Sequence, residues 1–460
     1  MGENQFITKR LISGGLWTTL NQVIFAVLTL LVNALVTRLL TQEEVGAYFL
    51  ITSITVFGHL VILLGTNKSV IKLVASGTVA EEGRGVRPAI KGTAVLVAVM
   101  GILVVSVYQA GIGEWLGNHV FNSRIIGELS LLTGLLMFLR AIQLYLSSTL
   151  LGFHKMGLAS LINQTLTVFL VVGVLGYTSL TGVDSEIDDV LLVVLAGHLL
   201  TVFTAIYLLS SPYRASRKDT GVEIQGALDV GLPLSILAIS ITGIQEAHVW
   251  ILGAFTNETQ VAIYGIAFRL SKFVLFPLIV VNSVISSTVA QLWAQGEEKR
   301  LERILRAGTT MQVIPSVVIV LVLVICGEEI LGWLFGTPYA AGTTALLVII
   351  AGQLVSSIVG SPGVLIAMSG NQRVSMVFGV TSGVVGIIIS MLGVGSYGSV
   401  GVATGVASGV VLNNLLSWVY CWKVIGIRTH VGLQITRDLL EFIGQAYSRK
   451  RRVDTSRDGR

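Results

Sequence analysis

Charge is what this chain has least of. Asp, Glu, Lys and Arg make up 12% of the 460 residues, against 53% hydrophobic, where soluble domains carry about 25% charge. With a mean hydropathy of +0.82, that shortage excludes a water-soluble globular enzyme and makes lipid the main solvent. Cysteine is scarce as well. Cys326 and Cys421 both sit in apolar runs, so neither a disulfide framework nor a zinc site can be assembled, and both read as buried, inert thiols. Long polar connections are also missing. The longest, 66–91, 211–229 and 291–308, contain no Gly-rich phosphate loop, no His cluster and no nucleophile elbow. Nothing outside the bilayer is large enough to house chemistry, so the expectation is a protein that is not an enzyme and holds no metal or organic cofactor. A cleavable leader is not expected, because the first apolar stretch is long and lacks a small-residue cleavage site. Gly2 is not followed by the Ser or Thr that myristoylation requires at position six.

What the chain has in abundance is apolar runs. Spanning a bilayer takes roughly 20 such residues, and twelve stretches qualify: 13–37, 45–65, 92–111, 126–150, 158–179, 190–210, 230–254, 262–290, 309–333, 342–367, 374–392 and 399–422. Runs of this length satisfy their backbone in lipid as helices. The fold class expected is an all-α integral membrane protein.

Orientation follows from the basic residues between the runs. With the N-terminus placed in the cytoplasm, 25 of the 30 Lys and Arg residues fall inside, among them Lys9, Arg87, Lys155, Arg214, Arg303, Arg373 and Arg449. The outer connections are acidic, with Glu43, Glu44, Asp184, Asp188 and Glu258. Both termini are therefore expected in the cytoplasm, in the cytoplasmic membrane. The net charge of +5 reads as a topology signal, and no nucleic-acid partner is expected. The tail, 426–460, is either an interfacial helix pinned to anionic lipid by Arg449–Arg452 or a solvated end.

The chain repeats itself. Trp17 to Leu40 is apolar, Thr41-Gln-Glu-Glu is polar, and Val45-Gly-Ala-Tyr opens the next run. Thr256-Asn-Glu-Thr-Gln followed by Val261-Ala-Ile-Tyr echoes it with one extra residue. Division near residue 220 gives six spans to each half, 1–219 and 220–425, entering the membrane in the same sense. Such halves are related by a pseudo-twofold along the membrane normal, enclose a central cavity and expose it alternately to either side. Pro277 and the Ser361-Pro-Gly break are candidate kinks. Gly401, Gly405 and Gly409, four apart, read as a close helix contact.

Charge at bilayer depth is costly and normally faces a bundle interior or a wet cavity. Arg140 is mid-span, with Gln143 on the same face. Arg269 and Lys272 share a face of the eighth span. Asn21, Gln22, Asn163 and Gln164 supply amides. Together these eight residues are the expected lining of a cation-rich cavity, suited to a phosphate-bearing substrate because a guanidinium binds phosphate bidentately. Interhelical ion pairing, with Glu246 neutralised by Arg269, is the structural alternative, and Lys272 is able to snorkel. Glu246 is the candidate for coupling to H⁺ or Na⁺. His59 and His198 read as satisfied interior residues rather than ligands.

Several of these stretches resemble a known family. Arg38-Leu-Leu-Thr-Gln-Glu-Glu-Val-Gly-Ala-Tyr is similar to the signature of Wzx-type oligosaccharide flippases, of the superfamily that also contains the multidrug and toxic-compound exporters. The stretch from Ile251 to Leu270 is similar to that family's junction of spans seven and eight. Gly370-Asn-Gln-Arg and Tyr397-Gly-Ser-Val-Gly-Val-Ala fit as well. The resemblance implies two six-helix bundles, and movement of a polyprenyl-diphosphate-linked oligosaccharide from the inner to the outer leaflet. It implies as partners that lipid-linked sugar, membrane lipids and the glycan-assembly enzymes of the same membrane. Arg269 matches a basic position often seen in the family's eighth span, whereas Glu246 stands where Asp is frequent. An organic-cation antiporter of the same superfamily is the first alternative. A membrane-embedded glycosyltransferase or polymerase is the second, and it would require a large outer loop that this chain lacks.

Overall fold

The computed structural model describes residues 3–79, 85–216 and 224–432, and among them every element is helical. In chain order the main helices are α1 (Glu3–Leu39), α2 (Gln42–Leu63), α3 (Thr66–Val79), α4 (Val86–Val107), α5 (Ser130–Gly152), α6 (Leu166–Thr181), α7 (Ile187–Ala215), α8 (Gln225–Phe255), α9 (Glu258–Ser271), α10 (Phe276–Ala294), α11 (Glu298–Phe335), α12 (Thr343–Val359), α13 (Pro362–Met368) and α14 (Gln372–Tyr420). Among the described residues, eleven helical stretches are long and apolar enough to cross a membrane. The last of them covers two spans. At about 1.5 Å per residue the 49 residues of α14 far exceed a bilayer core of about 30 Å. Gly398, with φ 51° and ψ −128°, breaks the helix between the eleventh and twelfth expected spans. The chain is a multi-pass membrane protein. Large apolar side chains such as Leu180, Phe203, Ile325 and Leu392 stand outward, the inverse of a water-soluble surface.

The two polar turns of the internal echo are built alike. Thr41 caps α2, its hydroxyl accepting from the Glu44 N–H, while the Glu44 carboxylate takes the Thr41 N–H in return. Asn257 caps α9 in the same way, its Oδ1 accepting from the Gln260 N–H at 3.0 Å. The turns also meet: a β-carbon on Gly46 would collide with the Glu258 carbonyl.

The chain forms two compact units, Met1–Ile266 with Leu331–Tyr339, and Ala267–Ile330 with Ala340–Arg460. In the first, α8 lies on α2 and α3, close enough that a β-carbon on Gly231 would meet the Ser69 hydroxyl at 2.7 Å. In the second, Val281, Ile285, Val289, Leu301, Leu305, Leu365 and Ile366 form an apolar core. The two arms of α14 fold back on each other along the expected glycine seam. A β-carbon on Gly393 would lie 3.0 Å from the Gly401 Cα, and one on Gly386 would lie 2.9 Å from the Gly405 carbonyl.

Three expectations need correction, and the expected break at Ser361-Pro-Gly is present. The stretch 66–91 is not simply a connection. It contains α3, an amphipathic helix of 14 residues, too short to span, whose Val70 and Val74 are fully buried. Pro277 does not kink a continuous helix. A 3₁₀ segment, Lys272–Leu275, ends one helix, and Pro277 occupies the first turn of α10, where its missing N–H costs nothing. The tenth span is likewise two helices, with Gly360 at φ 86° between α12 and Pro362 at the start of α13. Cys421 is buried as expected, but Cys326 is exposed, at a non-helical residue of α11. The expected tail helix lies, from residue 433 onward, outside the described residues.

Candidate functional site

The first unit encloses a cluster of polar groups at membrane depth. Its foundation is a local irregularity between Met156–Ser160 and α6: residues Leu161–Thr165 wind as a π-turn. A π-turn leaves carbonyls short of their usual intrahelical partners, and such turns often mark functional sites. Here the spare acceptors are taken up by α5. The Arg140 guanidinium donates to the Asn163 carbonyl at 2.6 Å. One turn further along, the Gln143 amide donates to the Ile162 carbonyl at 2.5 Å, the Asn163 carbonyl at 3.3 Å and the Thr167 hydroxyl at 3.1 Å. The other end of that amide faces α7, where the Gln143 Oε1 and His198 Nδ1 lie 2.5 Å apart. Thr167 continues to Thr201 at 2.9 Å. On the opposite side Asn21 of α1 donates to the Ser160 hydroxyl at 2.6 Å.

The sequence grouped Arg140, Gln143, Asn163 and Asn21 by polarity, and the structure brings them together. Gln164 lies in the same π-turn and is half-buried. The Oε1 of Gln22 is buried, as is the Asn163 Oδ1, and neither has a hydrogen-bond partner among the described residues. Arg269 and Lys272 belong to the second unit. Lys272 is exposed, its ammonium 4.7 Å from the centre of the Phe268 ring one turn back. Glu246, half-buried on α8, accepts a 2.7 Å hydrogen bond from Ser53 of α2. Thr167, Thr201 and Ser53 are members that sequence reasoning missed, whereas His198, expected as a satisfied interior residue, is one, through its contact with Gln143. His198 had a signal, a polar ring inside an apolar run.

Arg140 stands out electrostatically. Its side chain is half-buried, it makes one hydrogen bond, and among the described residues it forms no ion pair. A cation at bilayer depth costs about 2.5–3.5 kcal/mol on insertion scales. A neutral carbonyl offsets part of that. The remaining N–H groups of the guanidinium form a planar fork of the kind that can donate to an anionic oxygen.

The family model described as polysaccharide biosynthesis protein matches residues 11–290. A second model, MatE, matches residues 233–392. A curated relative, the probable low-salt glycan biosynthesis flippase Agl15 of Haloferax volcanii, is 21% identical over 180 residues, 39% of this chain, and the match spans 38% of that relative's length. Among solved structures, an inward-facing multidrug resistance MATE family transporter of the MOP superfamily superposes with a TM-score of 0.69 at 14% identity, over 86% of this chain and 93% of that one. The lipid II flippase MurJ, in an inward closed conformation, also gives 0.69 at 14% identity, over 92% of this chain and 90% of its own. The chain shares the fold of those two transporters, and it belongs to the polysaccharide biosynthesis protein family.

Proposed function

We propose that this protein is a flippase that carries a polyprenyl-diphosphate-linked oligosaccharide from the inner to the outer leaflet by alternating access. One observation carries the reading: Arg140, an arginine at membrane depth tied by a single hydrogen bond to a π-turn carbonyl. In this reading the diphosphate docks on that guanidinium and its sugars occupy the polar interior. The lipid tail stays in the bilayer. The amides of Asn21, Gln22, Asn163 and Gln164 meet sugar hydroxyls, and Arg269 and Lys272 are the basic candidates of the second unit. In this reading the ends of the spans rich in Lys and Arg face the cytoplasm, and both termini lie there with them. The glycan flippase Agl15 and the lipid II flippase MurJ support this choice of cargo class. The reading is of transport rather than catalysis, with glycan-assembly enzymes acting on the cargo before and after it crosses.

In cells that depend on this protein for surface glycan, replacing Arg140 or Arg269 by Ala should abolish glycan output at unchanged protein level. Full output from both variants would remove the cationic path from the account. A second reading, an ion-coupled exporter of organic cations, draws on the MatE match and on Glu246. Its signature would be drug resistance on overexpression, lost in Glu246→Gln and kept in Arg140→Ala.

A further inference from the structure

We propose that His198 and His59 form a proton-binding pair beside Arg140, so that the site takes up a proton as it takes an anionic headgroup. The inference rests on the reading of Arg140 as an anion site and adds what that site exchanges with water.

Both rings are fixed at one nitrogen and open at the other. His59 lies 3.0 Å through Nδ1 from the Thr55 carbonyl, four residues back on α2. A carbonyl accepts and never donates, so Nδ1 carries the hydrogen. The Gln143 amide nitrogen is committed to donating toward Ile162, Asn163 and Thr167. Its oxygen therefore faces His198 and accepts from that Nδ1–H. In both rings Nε2 is left as a basic lone pair, with no hydrogen-bond partner among the described residues. Neither ring is remote from the cation. Arg140 and Gln143 donate to the same Asn163 carbonyl, and Gln143 accepts from His198, so guanidinium and imidazole are linked through one carbonyl and one amide on three neighbouring segments. His59 is on the same side: its neighbour Gly58 lies against α5 one turn before Arg140, where a β-carbon would meet the Met137 Sδ at 2.5 Å.

The other groups around the pair are accounted for. On α5 the Tyr145 hydroxyl is engaged by Thr93 and by the Ile90 carbonyl. On α8, Glu246 is held by Ser53, six residues before His59 on α2. The π-turn and α6 present Asn163 and Thr167, which do not titrate in water. Arg140 therefore sets the charge state of the pair. While it stands bare, a proton on either ring would add a like charge nearby, which is unfavourable. Once a diphosphate neutralises it, a proton from water adds to an Nε2 lone pair, and the imidazolium so formed meets the remaining negative charge. No electron moves and no covalent bond to the cargo forms.

The test is calorimetric titration of the full chain in neutral-lipid nanodiscs, in two buffers of different ionisation enthalpy. The probes are inorganic pyrophosphate and a short-chain prenyl diphosphate. Wild type should bind with net proton uptake, and its affinity should rise toward acid pH by up to about tenfold per unit for one linked proton. The double variant His59→Asn with His198→Asn keeps an amide N–H where Nδ1–H was and removes the basic lone pair. It should bind with no uptake and a flat pH profile, and the Gln pair serves as a second version should the Asn pair misfold. Undiminished uptake in these variants overturns the inference while leaving the anion site intact. Undiminished binding in Arg140→Ala overturns the anion-site reading itself, and failure of wild type to bind either probe overturns both.

Discussion

In the first unit, α5, the π-turn and α7 meet through side-chain hydrogen bonds: Arg140 and Gln143 on exposed carbonyls, His198 on the Gln143 amide. In the second unit, the arms of α14 meet through bare backbone, Gly386 and Gly393 facing Gly401, Gly405 and Gly409. Lipid supplies no hydrophobic force to press helices together, so either close packing or hydrogen bonding must do it. The glycine seam gains contact at small cost and contains nothing a substrate could grip. The polar cluster gains little stability, since interhelical hydrogen bonds in membranes average about 0.6 kcal/mol, and it carries an arginine without an ion pair among the described residues. A contact that a few glycines could replace, built instead around a costly cation, points to function rather than to cohesion.

That contrast can be broken, and the largest effect should come from the seam. Gly405→Leu drives a side chain into the Ser390 hydroxyl and the Gly386 carbonyl. Folded yield on size-exclusion chromatography should collapse. Gly395→Ala, where nothing lies within 4 Å, should be silent. Equal yields from both variants would mean that the seam is not what holds the arms. Next comes Arg140→Ala, whose thermal midpoint should match or exceed that of wild type, because a cation leaves the bilayer interior. A marked drop would make Arg140 a structural tie. Gln143→Leu should lower the midpoint slightly, by the few tenths to about 1 kcal/mol expected for two or three such bonds, and reduce transport without abolishing it, as His198 loses its acceptor and the Asn163 carbonyl keeps Arg140 as its one side-chain donor.

The smallest effect lies outside the bilayer. The Trp418 indole donates to His430 Nδ1 at 3.0 Å, a bond that needs the imidazole neutral. Burial holds the His430 pKa below its ordinary value, helped by the charges of Arg306 and Arg428 and opposed by Glu302. A depressed folded value means that this contribution is complete above the ordinary histidine pKa of about 6.5 and is lost as pH falls through the folded value. Trp418 fluorescence should therefore shift on acidification, and the shift should vanish in His430→Gln. An identical shift in that variant would detach it from this contact.

Much of the fold was legible because lipid leaves the chain few choices. Twenty apolar residues must be a helix, and the break falls at Gly398, the last residue of the stretch 393–398 that separates the two expected runs. The repeated turn was legible because Thr41 and Asn257 are capping residues in equivalent places. α3 was missed because its apolar residues, Val70 and Val74 among them, alternate in the sequence with the exposed Lys68 and Lys72 and make no run long enough to span. Within the site, the spacing of Arg140 and Gln143 put both on one face of α5. Their partners could not be read, because a spare carbonyl comes from backbone winding at Leu161–Thr165 and leaves no mark in side-chain polarity. The link from Gln143 to His198 across 55 residues, and that from Ser53 to Glu246 across 193, depend on which helices become neighbours, and no periodicity encodes that.

The central claim is that Arg140 grips an anionic headgroup in transit. Its most direct test is leaflet translocation of a defined polyprenyl-diphosphate-linked sugar in proteoliposomes, comparing wild type, Arg140→Lys and Arg140→Ala at equal folded protein. The account predicts movement by wild type, slower movement by the lysine variant, whose point charge lacks the planar fork, and none above protein-free vesicles for the alanine variant. Translocation by Arg140→Ala at the wild-type rate would contradict it.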